Sequence, residues 1–273
     1  MAEAADAIAD AVDAAADMDA AAGVDSQCAG SPIARARKNL AALEALAAAE
    51  ERGSAAAEEI AAMEAYSGWG GAQKAFSEKA EGEWGEIRDR LRELLSEDEF
   101  ASQRHTVLTA FYTPAPVIGA IFDALREAGI GQGDKPAAIL EPGCGTGNFM
   151  RLAPTDLALD FHGVELDPIS ARIAQVLCPE AHITAAGLEE CRVSPASFDA
   201  AVGNVPYSGD IKIDGMPIHD YFIRKSVEAV RPGGIVAVLT SRYTLDKNST
   251  ATRRALAEQA ELLGAVRLPA ETF

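Results

Sequence analysis

The stretch Ala137 to Phe149, AAILEPGCGTGNF, constrains the fold more than any other part of the chain. Four apolar residues, Ala137 to Leu140, run into Glu141 and Pro142. Glycines then stand at alternate positions, Gly143, Gly145 and Gly147, with Cys144 and Thr146 between them, before Asn148 and Phe149. That order predicts a strand, a tight turn and a helix. Glycine removes the Cβ where a backbone must turn sharply and lie against a ligand, and the next helix offers unpaired N-terminal amides. A dinucleotide-binding turn places its third glycine one position later, where this chain has Asn148. Glu141 is an anion where a diphosphate would have to come close. Spacing and charge therefore suit a cationic nucleoside better than a dinucleotide.

The remaining pattern predicts a doubly wound, mostly parallel α/β sheet. Strands near residues 137, 161, 182, 198, 235 and 264 alternate with helices from about residue 105 to 273, a domain preceded by a helical region over 32–104. In that region Leu40, Leu43 and Ala47 share a helical side. Ile60 and Met63 continue the spacing after a Gly53-Ser54 break, as expected of a packing or partner helix pair. Tyr66 to Gly71 is a turn-rich loop in which Trp69 serves either as a packing plug or as a substrate contact. Trp84, Ile87, Leu91 and Leu94 form another helical face, Ser96 with Glu99 reads as a capping box, and these helices are expected to lid the sheet domain. Thr113 is predicted as an N-cap with Pro114 at the first helical position, ahead of the apolar face Val117, Ile118, Ile121, Phe122 and Leu125 that ends at Gly129. Asp167 and Pro168 repeat the same signal.

Composition limits the function. The formal net charge of −18 opposes a free-standing nucleic-acid binder, although Asp6, Asp10, Asp13, Asp17, Asp19 and Asp25 precede any basic residue and relieve the remainder of the chain. Residues 1–31, nearly all Ala, Asp and Glu, suit either a fraying solvated helix or a disordered tail. The cysteines at 28, 144, 178 and 191 form no CxxC pair and suit a reducing, cytoplasmic setting. Cys178, His182 and Cys191 offer three irregularly spaced ligands, so no metal is predicted. The start shows neither a signal peptide nor a membrane span.

Glu165 ends the second strand about 20 residues past the glycine turn, placed to accept hydrogen bonds from both hydroxyls of a ribose. The fourth strand, Phe198 to Gly203, empties into Asn204-Val205-Pro206-Tyr207. His219 beside Asp220 suggests a dyad, but neighbours on a helix point about 100° apart, which favours a structural role. Thr240, Ser241, Arg242, Lys247, Arg253 and Arg254 are the nearest approach to a basic patch, and serve equally as a solvated face.

Glu141 to Gly147 match the acidic-x-Gly-x-Gly-x-Gly motif in full, and here the sequence resembles the S-adenosylmethionine-dependent methyltransferases. The resemblance implies a Rossmann-like sheet and a cofactor contacted by Glu141, Pro142, Gly143, Cys144, Gly145, Gly147, Asn148, Phe149, Glu165 and Leu166. It adds Leu188 with an acid at Glu189 or Glu190 toward the adenine, and Asn204. Tyr112-Thr113-Pro114 resembles the Tyr/Phe-Thr-Pro segment whose aromatic and Thr contact the methionine part. Asn204, Val205, Pro206 and Tyr207 resemble the Asn/Asp-Pro-Pro-Tyr/Phe catalytic motif, with Val205 replacing the first proline and expected to leave a free N–H and a softer loop. The motif order is that of the γ-type N6-adenine DNA methyltransferases. From residue 64 to 273, including Ser67 to Gly71, Ser241-Arg242 and Arg267-Leu268-Pro269, the chain is similar to the methylase region of phage and mobile-element proteins that join an adenine methylase to a helicase.

The resemblance implies methyl transfer to adenine in DNA. Methylation of a protein glutamine amide uses the same motif, and a non-catalytic cofactor-binding module is a third reading. In that family the sheet closes with an antiparallel strand for which 269–273 are too short. The methyltransferase domain is therefore expected to be C-terminally incomplete, with the DNA grip supplied by further C-terminal segments or by a partner.

Overall fold

A computed structural model of the protein describes residues 30–106, 113–208 and 211–268. The acidic stretch through residue 29, Tyr112 and the segment 269–273 lie outside them, so the readings made of those residues are not addressed. No helix among the described residues is long and apolar enough to cross a membrane.

Helix α1 (Pro32–Arg52) begins at Ser31, whose hydroxyl accepts from the Ala34 amide at 3.3 Å, and stops where Gly53 takes φ +75°. Helix α2 (Ala57–Glu64) follows, as the Gly53-Ser54 break predicts. The buried stripe runs through Ala42, Leu43, Leu46, Ala49 and Met63. Ala47 and Ile60, expected on it, are exposed: Ala47 is turned about 100° from buried Leu46, and in the short second helix only Met63 is buried. Trp69 is a plug. It is fully buried, and its indole N–H donates to Gln103 Oε1 at 2.8 Å, the same oxygen that accepts from the Tyr66 hydroxyl at 2.6 Å. Asn39 holds the loop from the other side, donating to Gly68 O at 2.5 Å and accepting from the Ser67 amide at 2.9 Å.

Helices α3 (Glu83–Leu94) and α4 (Glu97–Thr106) complete the region, the latter opened by the predicted capping box between Ser96 and Glu99. Helix α5 (Ala115–Glu127) has its cap one residue later than expected. Pro114 is extended and makes no side-chain cap bond, while Pro116 occupies the first turn, where a missing N–H costs nothing.

The sheet contains β1 (Ala137–Pro142), β2 (Leu159–Glu165), β3 (His182–Ala185), β4 (Phe198–Asn204) and, after the small hairpin β5 (Lys212–Ile213) and β6 (Met216–Pro217), β7 (Val230–Leu239). Its order is β3-β2-β1-β4-β7, and all four pairings are parallel. This is the doubly wound, Rossmann-like arrangement, with its switch point between β1 and β4. The intervening helices are α6 (Asn148–Arg151), α7 (Pro168–Leu177) and α8 (Ile218–Ala229), and α9 (Tyr243–Asp246) and α10 (Ala251–Ala257) follow β7. Ile118, Phe122 and Leu125 of α5 pack with Ile139, Phe161 and Val202. On the other side Leu140 and Ala201 pack with Ala229 at the end of α8.

Three expectations are corrected. No helix joins β3 to β4, since 186–197 is a turn-rich loop containing Pro195, and the alternation fails there. The strand expected near residue 235 begins already at Val230, directly after α8 ends at Ala229, and Arg231 to Gly234 bulge out of it, so that β7 skips from Val230 opposite Phe198 to Ile235 opposite Ala200. The sixth strand does not form: 260–268 carry no regular structure, and Leu262 is 72% exposed. An apolar run becomes a strand only with a partner for its backbone groups.

The N-terminal helices buttress rather than lid. Their apolar cluster includes Ile169 and Ile173 of α7, so the two regions share a core. Arg172 on α7 pairs with Glu50 and, at 2.6 Å, with Glu99.

Candidate functional site at the carboxyl ends of the strands

All three loop glycines take left-handed backbone angles, with φ of +75°, +56° and +82° at Gly143, Gly145 and Gly147. Their surroundings differ. A Cβ on Gly147 would lie 2.8 Å from Cys178 Sγ, so this glycine permits close packing on α7. One on Gly143 would meet Phe222 Cε1 at 3.5 Å and Pro206 Cδ at 3.6 Å, which places the glycine turn against the Asn204–Tyr207 segment. Gly145 has nothing within 4 Å and opens to space that a ligand can fill.

Glu141 is buried, with its Cγ about a van der Waals contact from Gly203, where a Cβ would lie 3.4 Å away. Its Oε2 has no hydrogen-bond partner among the described residues. Burial first, and the nearby Glu165 carboxylate second, push its carboxyl well above the usual range. Such a site asks for a cation. Glu165 ends β2 as predicted, but both its oxygens already hold backbone: Oε2 accepts from Gly145 N–H at 2.7 Å and Oε1 from Asp167 N–H at 2.8 Å. Burial raises it to about 7 against the pull of those bonds. A carboxylate has about four lone-pair sites, so these bonds leave capacity for a ligand hydroxyl. Leu166 beside it is 72% exposed, an apolar surface at the mouth of the site.

Asp167 caps α7, accepting from Ser170 N–H at 2.9 Å, as its pairing with Pro168 predicts. Its other oxygen accepts from Gln103 Nε2 at 2.6 Å and Ser102 Oγ at 2.9 Å. The Trp69 plug is thereby joined, through Gln103 and Asp167, to the Glu165 corner. Nothing in the local sequence pointed to Gln103.

The other predicted residues sort by depth. Thr113, Cys144 and Asn148 are buried, and burial pushes the Cys144 thiol well up. Phe149 is buried with its ring against Phe122, which leaves its backbone for a ligand. Pro142 is buried. Leu188 packs with Val164, Val205 and Tyr221, while Glu189 and Glu190 are both exposed. Gly163, directly opposite Glu141, was overlooked. A Cβ there would meet Met150 Cε at 2.6 Å and Cys144 Sγ at 2.8 Å, and a lone glycine inside a strand is the signal for such an approach.

Asn204 closes β4 and is partly buried, as are Pro206 and Tyr207, whose hydroxyl is pushed up by burial. Val205 is fully buried, and its N–H is not free: it donates to Leu239 O at 3.1 Å, fastening the segment to the end of β7. A proline could not make that bond, so the substitution tightens the loop rather than softening it. The β5–β6 hairpin behind it turns at Asp214 and Gly215, with φ of +50° and +77°, a signature legible as Asp-Gly in the sequence and missed there.

His219 and Asp220 do approach, with Nε2 3.5 Å from Oδ1, because both side chains are folded into the same buried space. Burial lowers the pKa of His219, against the opposing pull of Asp220. Asp220 is occupied by Lys247 and by Thr252 Oγ1 at 2.8 Å, and Arg253 donates to Lys247 O at 3.0 Å. Much of the candidate basic patch is thus engaged within the protein.

The architecture and the open glycine, the orphaned buried carboxylate and the strand-end acid fit S-adenosylmethionine, a nucleoside with a positive sulfonium. No family model matches the chain. It is 30% identical over 177 residues to "Defense against restriction protein B" of Escherichia phage P1, a match spanning 61% of this chain and 8% of the phage protein. Among solved structures, it is similar to a class I S-adenosylmethionine-dependent methyltransferase from Listeria monocytogenes, with 17% identity, TM-score 0.46 and coverage of 82% of this chain and 79% of the other. A TehB-like S-adenosylmethionine-dependent methyltransferase from Corynebacterium glutamicum is 25% identical, with TM-score 0.31 and coverage of 41% and 60%. One from Geobacter sulfurreducens, in complex with S-adenosyl-L-homocysteine, is 17% identical, with TM-score 0.31 and coverage of 41% and 45%.

Proposed function

We propose that the chain is an S-adenosylmethionine-dependent methyltransferase module that acts on the exocyclic N6 amine of adenine in DNA. The observation that carries this reading is the contact of the glycine turn with the Asn204 segment, Gly143 lying against Pro206, so that a cofactor cradle and an amine-binding motif share one corner.

S-adenosylmethionine, when bound, supplies an electrophilic methyl group. Glu141 would face its positive charge, Glu165 its ribose hydroxyls, and Gly145 leaves the room. An adenine amine is a poor nucleophile because its lone pair is delocalised into the ring. The Asn204 side-chain oxygen and the Val205 carbonyl serve as acceptors for its two N–H bonds, which favours tetrahedral geometry at nitrogen. Tyr207 offers a face for a flipped-out base. The bond from Val205 N–H to Leu239 sets that carbonyl by tying the segment to the sheet.

The DNA grip comes from additional C-terminal segments or a partner. The net charge is −18, Lys247 is committed to Asp220, and β7 is paired on one edge among the described residues, with Ile235 to Leu239 only partly buried. The same addition supplies a strand for that edge.

Asn204→Ala should retain S-adenosylmethionine binding by calorimetry yet lower methyl transfer to adenine-containing DNA by at least ~100-fold. Equal turnover would remove Asn204 from the mechanism. Offering DNA, RNA and cell protein in parallel with tritiated cofactor distinguishes the substrates, and label in protein glutamine alone would replace the DNA assignment.

A further inference from the structure

Away from the cofactor corner, on the face left uncovered by the missing helix between β3 and β4, two imidazoles and a carboxylate converge. Asp160 and His162 are two apart on β2 and so share a face. His182 of β3 stands directly opposite His162 in the parallel register. His162 Nε2 lies 3.4 Å from Asp160 Oδ2, and His182 Nε2 lies 3.7 Å from Oδ1. The ligand atoms of all three lie within 4.8 Å of one another. Phe198 of β4 sets its edge against His162, with ring centroids 5.3 Å apart at 77°, and fixes the imidazole plane.

We propose that Asp160, His162 and His182 bind a divalent transition metal of the imidazole-preferring kind, zinc or nickel, and that the ion clamps edge strand β3 to β2. Distances of 3.4 and 3.7 Å are long for N–H···O bonds, whose usual length is about 2.9 Å. They are close to the separation of about 3.3 Å between ligands that each sit 2.0–2.1 Å from a tetrahedral ion. The two imidazole rings lie with centroids 4.8 Å apart beside the one carboxylate. A dication can take a lone pair from each neutral ring together with the carboxylate charge. The three ligands are one carboxylate and two imidazoles, a set that leaves coordination positions for water or a further ligand. His162 and His182 also line a cavity of ≈ 460 Å³ with Glu190, Cys191, Ser194 and Phe198, which gives such a ligand space. The cysteine-based alternative does not assemble, since Cys178 lies at Gly147, its Sγ 3.7 Å from Gly147 O.

The test is calorimetric titration of the full chain with Zn²⁺, and separately Ni²⁺, in chelator-free buffer, paired with thermal melting. The expected result is one saturable site in the micromolar range. His162→Ala and His182→Ala should each weaken it at least ~10-fold, and Cys191→Ser should leave it unchanged. His182 is exposed on an edge strand, so its variant keeps the fold, and its melting temperature should no longer rise with Zn²⁺ as that of the wild type does. No saturable binding by the wild type, or binding that survives both histidine variants or vanishes with Cys191→Ser alone, overturns the site.

Discussion

Around Glu165 the chain closes on itself, whereas around Asn204 it depends on an edge. At the first corner Glu165 braces Gly145, Asp167 caps α7, and Gln103 carries the contact back to Trp69, all within the described residues. At the second, the Asn204 segment is fastened to Leu239 on β7, a strand paired on one side among the described residues, whose apolar residues there are partly exposed. In the proposed reading both corners serve one site, one braced through Gln103 to the N-terminal helices and the other packed around buried Val205 and fastened to the last strand of the sheet. The difference teaches where stability and catalysis separate: damage to the first should unfold or unload the protein, and damage to the second should chiefly misplace the amine acceptors.

The largest stability effect is expected from Gly147→Ala. It combines a left-handed backbone angle with a Cβ 2.8 Å from Cys178 Sγ, and should cost about 2–4 kcal/mol in denaturant unfolding. Gly145→Ala has the same backbone penalty but open space, and should cost about 1 kcal/mol while weakening cofactor binding. Equal losses of stability would mean that the two glycines are not divided between packing and ligand access.

The next effect depends on pH. Glu165 titrates at about 7 in the folded chain, above the ordinary value of about 4.3. Its contribution to stability is complete below that ordinary value and is lost as pH rises through about 7. Without cofactor, melting between pH 5 and 8.5 should show a loss on the order of 1–2 kcal/mol that Glu165→Gln flattens. A profile unchanged by the substitution would place the titration elsewhere. A cationic ligand pulls the carboxyl the other way, so its affinity should rise over the same interval.

The smallest effect belongs to the second corner. Val205→Pro restores the residue usual in the resembling motif and removes the bond to Leu239, for a loss of about 1 kcal/mol in denaturant midpoint. A loss as large as that of Gly147→Ala would show the edge to be as firmly built as the packed corner.

Much of this was legible because it is local. Alternating glycines after an apolar run can hardly be anything but a strand and a turn, and all three took the left-handed angles that only glycine adopts cheaply. Asp167-Pro168 and Ser96 with Glu99 capped their helices as expected, since a cap is satisfied within three residues. The strand expected near residue 182 formed, as His182 to Ala185. Gly264 to Leu268 did not, although its composition is as strand-like, because pairing is supplied from elsewhere.

The sequence by itself therefore determined the strand, turn and helix around residues 137–151, the parallel order that such units adopt, and the nature of the ligand implied by an acid before three glycines. Only the tertiary structure decided that Glu141 is sealed against Gly203, that Gln103 reaches Asp167, that Val205 is fastened to Leu239, and that His162 meets His182 across two strands. The reason is range. Steric and capping preferences act over a few residues and can be read from them, while burial and cross-chain hydrogen bonds arise between segments tens of residues apart, whose meeting is fixed by how the sheet as a whole is covered.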